Sequence, residues 1–330
     1  MALSEECIDK HIKHWEQSLS NSRYPWTSKW PSRIFRHDPI ENIVQILESG
    51  SLLSRDDSNE IRTRDIAARD VINSTDEPHQ FVRLYFRPRT PTQYHVEGIR
   101  KTTECYQTDT SCLIGLMIFQ SRNLLSRSDV KFSDMNMQSS AVSVGFSEEF
   151  FNTNIDFSSV YHHGWQGSSE SIRKARCAEV LLESPLSIHD CLQHIYCRTN
   201  AERDTLLHLL SRETSERWRD KILVSDDMKL FERKYCFVDD VYITRTGVIA
   251  NLSPRDDNNN ISIDISILNI ETGQNVYSYR NVDFHPRPQS GKKGWIFKFD
   301  VTPNNHYHVC INMENCIAYD NILSFRDLPF

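Results

Sequence analysis

The sequence predicts an α+β unit over residues 1–226 followed by an all-β, sandwich-like unit over residues 228–330. Three observations carry this. Before residue 226, stretches with helical spacing interleave with apolar runs of strand length. After residue 228, Ile261, Ile263, Ile265 and Ile267 alternate with Ser262, Asp264 and Ser266, the period of two that a half-buried strand requires. A chain of 330 residues is also too long for one ordinary domain and suits two.

Residues 4–19 read as a helix with Ile8, Ile12 and Trp15 on one side. The aromatic stretch RYPWTSKWPSRIF follows as irregular chain or a short strand. The spacing of Ile40, Ile43, Val44 and Leu47 predicts a helix over 39–49, with Asp38 as its cap, Pro39 at the first helical position and Gly50 closing it. A second helix is expected over 60–72. FVRLYF (81–86), CLIGLMIF (112–119) and CAEVLL (177–182) read as strands, and SAVSVGF (140–146) as a weak strand or loop. Two helices are expected to close this half, Ser187 to His194 and one capped by Thr199 with Glu202 three residues on. Beyond residue 228, YCFVDDVYI, GVIANL, NVYSYRNVDF, WIFKFDV and HYHVCINM add strands between turn-rich stretches, and Tyr307 suggests a tyrosine corner.

Composition narrows the function classes. With 38% hydrophobic and 25% charged residues and a mean hydropathy of −0.53, the chain is neither collagenous nor disordered. It has no apolar run of membrane-spanning length and no apolar leader segment, so a cytoplasmic protein is expected. The nine cysteines form no CxxC pair, which points to free thiols in a reducing compartment. A net charge of −7 counts against strong duplex binding, yet Arg83, Arg87, Arg89, Arg100 and Lys101 form a local basic cluster suited to a dinucleotide or a short single strand. HExxH, GxSxG, P-loop and GxGxxG patterns are absent. His162–His163 and His306/His308 lack further ligands at useful spacing, so no metal is expected.

Three points carry possible chemistry. Glu179 is the only charge in an apolar strand, where an unpaired carboxylate is costly. It either faces solvent, pairs with an arginine or is aimed into a cleft. In YFRPRTP, Arg87 and Arg89 leave a strand beside Tyr85, Tyr94 and His95, a set that suits a nicotinamide ring and a pyrophosphate or else forms a solvated basic turn. Arg36-His37-Asp38 opens a helix whose free N–H groups suit an anion or are simply capped.

The order of these pieces resembles the DarT family, toxins that transfer ADP-ribose from NAD to bases of nucleic acid. The likeness runs over about residues 33–200, through IFRHDPIENI, then YFRPRTP for a YFNPRxPM turn, FSDMN for an FxDxN loop, and RCAEVLL for an RxAExLV strand. This sequence departs from the pattern at His37, two residues early, at Arg87 for Asn and at Thr92 for Met.

The resemblance implies an ADP-ribosyltransferase fold, a split mixed sheet around a central NAD cleft. It implies Glu179 as the catalytic residue, Arg89 on the NAD phosphates or orienting the cleft, Tyr85 or Tyr94 on nicotinamide, His37 or Asn42 on the adenosine side, and Arg69 on pyrophosphate. It places Tyr161, His162, His163, Trp165 and Gln166 in a substrate loop that stacks unpaired bases. NAD is then the co-substrate, single-stranded DNA or RNA the acceptor, and a cognate antitoxin the partner, with a chaperone beside it and a role in phage defence. The β unit is expected to regulate or recruit rather than to catalyse. Transfer to a protein or tRNA, and a catalytically inactive binding module, are the alternatives.

Overall fold

The computed structural model describes residues 2–58, 62–66, 77–105, 113–165, 169–253, 259–287 and 294–325. The first unit is built on an eight-stranded mixed sheet. Its strands are β1 (Arg33–Pro39), β3 (Val82–Tyr85), β4 (Ile114–Gln120), β5 (Lys131–Ser133), β6 (Val144–Gly145), β7 (Glu179–Leu182), β9 (Leu192–Cys197) and β10 (Ile222–Val224). They lie in the order β10-β9-β4-β1-β3-β7-β5-β6, antiparallel except for the β9–β10 pair. The short strands β2 (Ser51–Leu52) and β8 (Leu186–Ser187) pair separately. From Ile114 to Phe119, β4 is buried along its length, as a central strand covered on both faces must be.

The split lies between β1 and β3. Seven registered pairs join β1 to β4, but only Phe35 with Tyr85 joins β1 to β3. Where that ladder stops, the Arg36 guanidinium replaces it, Nη1 donating to the Arg83 carbonyl at 3.0 Å. The two half-sheets therefore diverge on the side that carries Arg36, His37 and Arg83, and a cleft opens there.

Helix α1 (Glu5–Ser20) forms as its spacing predicts, with the Ser4 side chain accepting from Cys7 N. Helix α2 (Ile40–Ser49) buries Ile40, Ile43, Val44 and Leu47 and ends at Gly50, whose φ of 70° suits glycine. Its start differs from the expected cap. Pro39 ends β1 and is the cap residue, while the Asp38 carboxylate turns to Arg36 and Asn42. The expected helix over 60–72 falls largely outside the described residues, and its described part, 62–66, is not helical.

The helix expected from Ser187 to His194 is corrected: the end of β8, a turn over 188–191 and the start of β9 stand there. Pairing of β9 with buried β4 outweighs the weak local helical spacing, a tertiary effect on propensity. The helix Asn200–Leu209 is capped by Thr199 as read, and a further helix, Arg212–Trp218, follows.

The C-terminal part holds two antiparallel sheets. One is β11 (Phe237–Thr244), β12 (Gly247–Ser253) and β15 (Trp295–Lys298). The other has the order β14 (Gln274–Phe284), β13 (Ile261–Asn269), β16 (His306–Met313) and β17 (Cys316–Ser324). Rings meet between them, Tyr277 with Phe297 at 5.7 Å and Phe284 with Trp295 at 4.6 Å. The Tyr307 hydroxyl accepts from Thr302 N at 2.8 Å, the local bond a tyrosine corner makes.

Residues 228–236 pack onto the first unit. Met228, Leu230 and Phe231 are buried, Trp30 Nε1 donates to Met228 O at 3.2 Å, and Gln93 Nε2 donates to Leu230 O at 2.9 Å. No helix among the described residues is long and apolar enough to cross a membrane.

Candidate active site

A cavity of about 450 Å³ opens where β1 and β3 part. Arg36, His37 and Asp38 reach it from β1, and Arg83 and Tyr85 from β3. Arg55, Arg62 and Arg64 line another part of its wall, and Arg173 and Lys174 a third. Cations thus outnumber the acids Asp38 and Asp65, which favours an anionic ligand. The acids hold arginines in place: Asp38 Oδ2 accepts from Arg36 Nε at 2.7 Å, and Asp65 pairs with Arg55 and Arg62. Burial pulls the Arg62 guanidinium below its usual range, partly opposed by Asp65.

Glu179 opens β7, opposite Tyr85 on one side and Ser133 on the other. It is 0% exposed. Arg83 Nη2 donates to its Oε1 at 2.7 Å, and Arg83 Nε to Oε1 at 3.1 Å and Oε2 at 3.2 Å. Met137 N donates to Oε2 at 3.0 Å. The arginine is oriented in turn by Asn136, whose Oδ1 accepts from Arg83 Nη2 at 3.0 Å and from Gln138 N at 2.8 Å. Of the three readings open to Glu179, the fold shows the arginine pair, at the edge of the cleft. Burial, then the Glu179 carboxylate, pushes the Tyr85 phenol well above its usual range, so Tyr85 is a neutral hydroxyl.

His37 stacks on Tyr85, with centroids 5.6 Å apart and planes 10° apart. Burial lowers its pKa to about 4 despite the nearby Asp38, so the ring is neutral at pH 7. Asn42 also lines the cavity, but its amide is engaged: Nδ2 donates to Asp38 and Arg64 O, and Oδ1 accepts from Arg64 N. Asn42 thereby fixes the wall that carries Arg62 and Arg64.

Two expected cleft residues lie elsewhere. The Arg89 guanidinium pairs with Glu232 at 2.6 Å. Lys234 Nζ donates to the Tyr94 hydroxyl at 2.8 Å and sits 4.3 Å from the Tyr94 ring centroid. Both serve the contact with the segment after residue 228, Arg89 from just before the helix Pro91–Val96 and Tyr94 from within it. The next residue, His95, lines the cavity instead. Arg69 and Gln166 lie outside the described residues.

The expected substrate loop divides. Tyr161 is buried, its ring 5.7 Å from Phe157 and its hydroxyl 3.1 Å from His11 Nε2, so it belongs to the core and does not stack bases. His163 packs against Tyr24, Trp26 and Trp30, and burial lowers its pKa to about 4. Arg176 Nη2 donates to His162 Nδ1 at 2.8 Å. Arg87, fully enclosed, donates to Val160 O and His162 O and stands over Trp30. Its burial, with Arg176 adding repulsion, lowers its pKa to about 9. Arg87 is therefore a pin for this segment. Trp165 is 92% exposed.

Sequence reasoning counted Arg83 only as one of a basic cluster, not as the partner of Glu179, and passed over Arg62. A signal for Arg83 existed: in FVRLYF the period of two puts Arg83 and Tyr85 on one face, and a lone Glu in a neighbouring apolar strand calls for such a cation. His308 does gain neighbours: His208 and His308 share Oδ1 of Asp320 at 3.1 and 2.7 Å, while His306 pairs with Glu271.

Thermus sp. 2.9 DarT in complex with ADP-ribosylated ssDNA is similar at a TM-score of 0.48 and 17% identity, over 61% of this chain and 96% of that one. The same protein with carba-NAD+ gives a TM-score of 0.47 and 18% identity, over 61% and 98%. Thermosipho africanus DarTG in complex with ADP-ribose gives 0.46 and 15%, over 66% and 55%. No curated protein matches the chain. Residues 35–229, more than half of the chain, match the family model described as ssDNA thymidine ADP-ribosyltransferase, DarT, and the chain belongs to that family.

Proposed function

We propose that this chain transfers ADP-ribose from NAD to a thymidine base of single-stranded DNA, with Glu179 as its catalytic carboxylate. The observation that carries the reading is a buried, cation-paired carboxylate on a rigid strand, beside a basic cavity at the split of the sheet. In the reaction the bond between nicotinamide nitrogen and ribose C1′ breaks, and its electron pair leaves with nicotinamide. Positive charge grows on the ribose, and a fixed carboxylate next to it lowers the barrier. The same carboxylate takes the proton from the attacking base nitrogen. Neutral His37 and Tyr85 offer a flat surface for a ring of NAD, and Arg55 and Arg62 suit its diphosphate. Trp165 suits stacking with an unpaired base of the strand.

The family description names single-stranded DNA, which favours it over RNA, tRNA or protein as acceptor. An enzyme that marks its host's own DNA needs restraint, so a cognate antitoxin belongs to this reading. The test is purified protein with labelled NAD and single-stranded DNA and RNA oligomers of defined base composition. Label is expected on thymidine-containing DNA alone. Absence of NAD-dependent label on every strand overturns the reading.

A further inference from the structure

We propose that Arg83 is a latch over Glu179 that a phosphate group of a substrate releases. The proposal rests on the assignment of Glu179 as the catalytic carboxylate.

Glu179 has no exposed surface and does not line the cavity, whereas Arg83 both lines the cavity and grips the carboxylate. A ribose entering the cavity therefore meets a guanidinium before it meets the carboxylate. A cation there opposes the positive charge that grows on the ribose, and a carboxylate whose two oxygens are engaged has little left to offer it. The arrangement is a closed form, and the chemistry needs Arg83 to let go.

What replaces the carboxylate must suit a planar, two-pronged donor. Phosphate oxygens do so as well as carboxylate oxygens. The cavity is already lined by Arg36, Arg55 and Arg62, so phosphates are the anions it would gather. The rest of the latch is light: one bond to Asn136, on a segment whose Met135, Asn136 and Gln138 themselves face the cavity. Phosphate arrives from two sources, the diphosphate of NAD and the backbone of the strand.

The latch has a purpose if the strand releases it. Without an acceptor, an open Glu179 would let water attack C1′. That reaction breaks the glycosidic bond, releases nicotinamide with the electron pair, and leaves ADP-ribose and a proton, a waste of NAD. A closed Arg83 suppresses it.

The test compares full-length wild type, Arg83→Met and Arg83→Lys, with thermal unfolding of each as the fold check. Kcat and KM for NAD and for a thymidine-containing oligonucleotide are measured, together with NAD hydrolysis without oligonucleotide. A rise of about tenfold or more in one KM is expected, the scale of a charge-assisted hydrogen bond. If the strand is the source, its KM rises and strand-free hydrolysis climbs by a similar factor. If NAD is the source, its KM rises and hydrolysis at saturating NAD stays level. Arg83→Lys keeps the charge but loses the paired N–H geometry, so it gives the same answer if Arg83→Met does not fold. Unchanged KM values overturn the latch, and so does a lost kcat with both KM values intact, which marks a permanent clamp. Transfer retained by Glu179→Ala sinks the catalytic assignment itself. An inactive Glu179→Ala beside unaltered Arg83 variants sinks only the latch.

Discussion

At the scale of single residues, the strongest expectation concerns Glu179. Removing a carboxylate that stabilises developing charge costs a few kcal/mol of barrier, so Glu179→Ala is expected to lower transfer about 10²-fold or more. Single-turnover transfer to a labelled oligonucleotide checks it, and near-wild-type rates sink the assignment. Acid stability is the second residue-scale expectation. Burial lowers the pKa of His11 to about 3 and those of His37 and His163 to about 4, against 6.5 for an exposed histidine. Between about pH 6.5 and 4 the unfolded chain binds protons at these sites that the folded chain does not. Stability is therefore expected to fall as pH drops through that window, by up to about 1.4 kcal/mol per pH unit for each of the buried His11 and His37, and by less for His163, which water partly screens. Denaturant unfolding at pH 7, 6 and 5 measures the slope, and His11→Gln should flatten it. A midpoint independent of pH in this range contradicts the burial argument. Glu179 was legible as an anomaly because one charge in an apolar strand stands out. Arg89 and Tyr94 misled because their partners, Glu232 and Lys234, lie some 140 residues further along the chain, and a sequence does not show that contact.

At the scale of elements, what was legible follows what is local. The strict alternation of β13 and the Thr199 cap of the helix Asn200–Leu209 are written within a few residues, and both formed as read. The stretch from Ser187 to His194 carries no such local determinant. Its strands exist through pairing with β2 and β4, partners far away in sequence. The Asp38 cap failed for a related reason: tertiary partners Arg36 and Asn42 took its carboxylate. The same non-local logic gives a prediction at Arg198, between β9 and the helix that follows. Its side chain is 0% exposed, held by Glu202, Glu97 and the Phe237 ring. Burial pushes the Glu202 carboxyl up, although Arg198 opposes it. Arg198→Met leaves two buried carboxylates without their cation, and a loss of about 3–5 kcal/mol is expected. Urea unfolding measures it. A change under 1 kcal/mol, on the scale of a surface ion pair, would show that water already screens the site.

At the scale of the whole molecule, the sequence suggests that the β-rich part regulates or recruits rather than catalyses. The contacts argue for a closer union. Glu97, one residue past the helix Pro91–Val96, accepts from Glu232 N at 2.9 Å and Arg233 N at 2.7 Å. That helix brings Thr92 and His95 to the cavity, so the cavity wall is braced from beyond residue 228. Thr199 Oγ1 donates to Val238 O at 2.7 Å, and Thr205 Oγ1 accepts from Asp320 N at 3.1 Å. Ending the chain at residue 227 removes all of these partners and uncovers Trp30, Ile99 and Arg198, which are buried in the intact chain. Each fully buried apolar side chain so exposed forfeits about 1.5–3 kcal/mol, and each stranded polar group about 1–3 kcal/mol. Against a total stability of about 5–15 kcal/mol, a handful of such losses is decisive. The fragment 1–227 is therefore expected to lose its cooperative unfolding transition and its NAD-dependent transfer together. Thermal unfolding and the oligonucleotide assay on fragment and full chain decide it. A fragment that melts cooperatively near the full-length midpoint and still transfers ADP-ribose would show the β-rich part to be an appendage after all, and the docking role would be the one left for it.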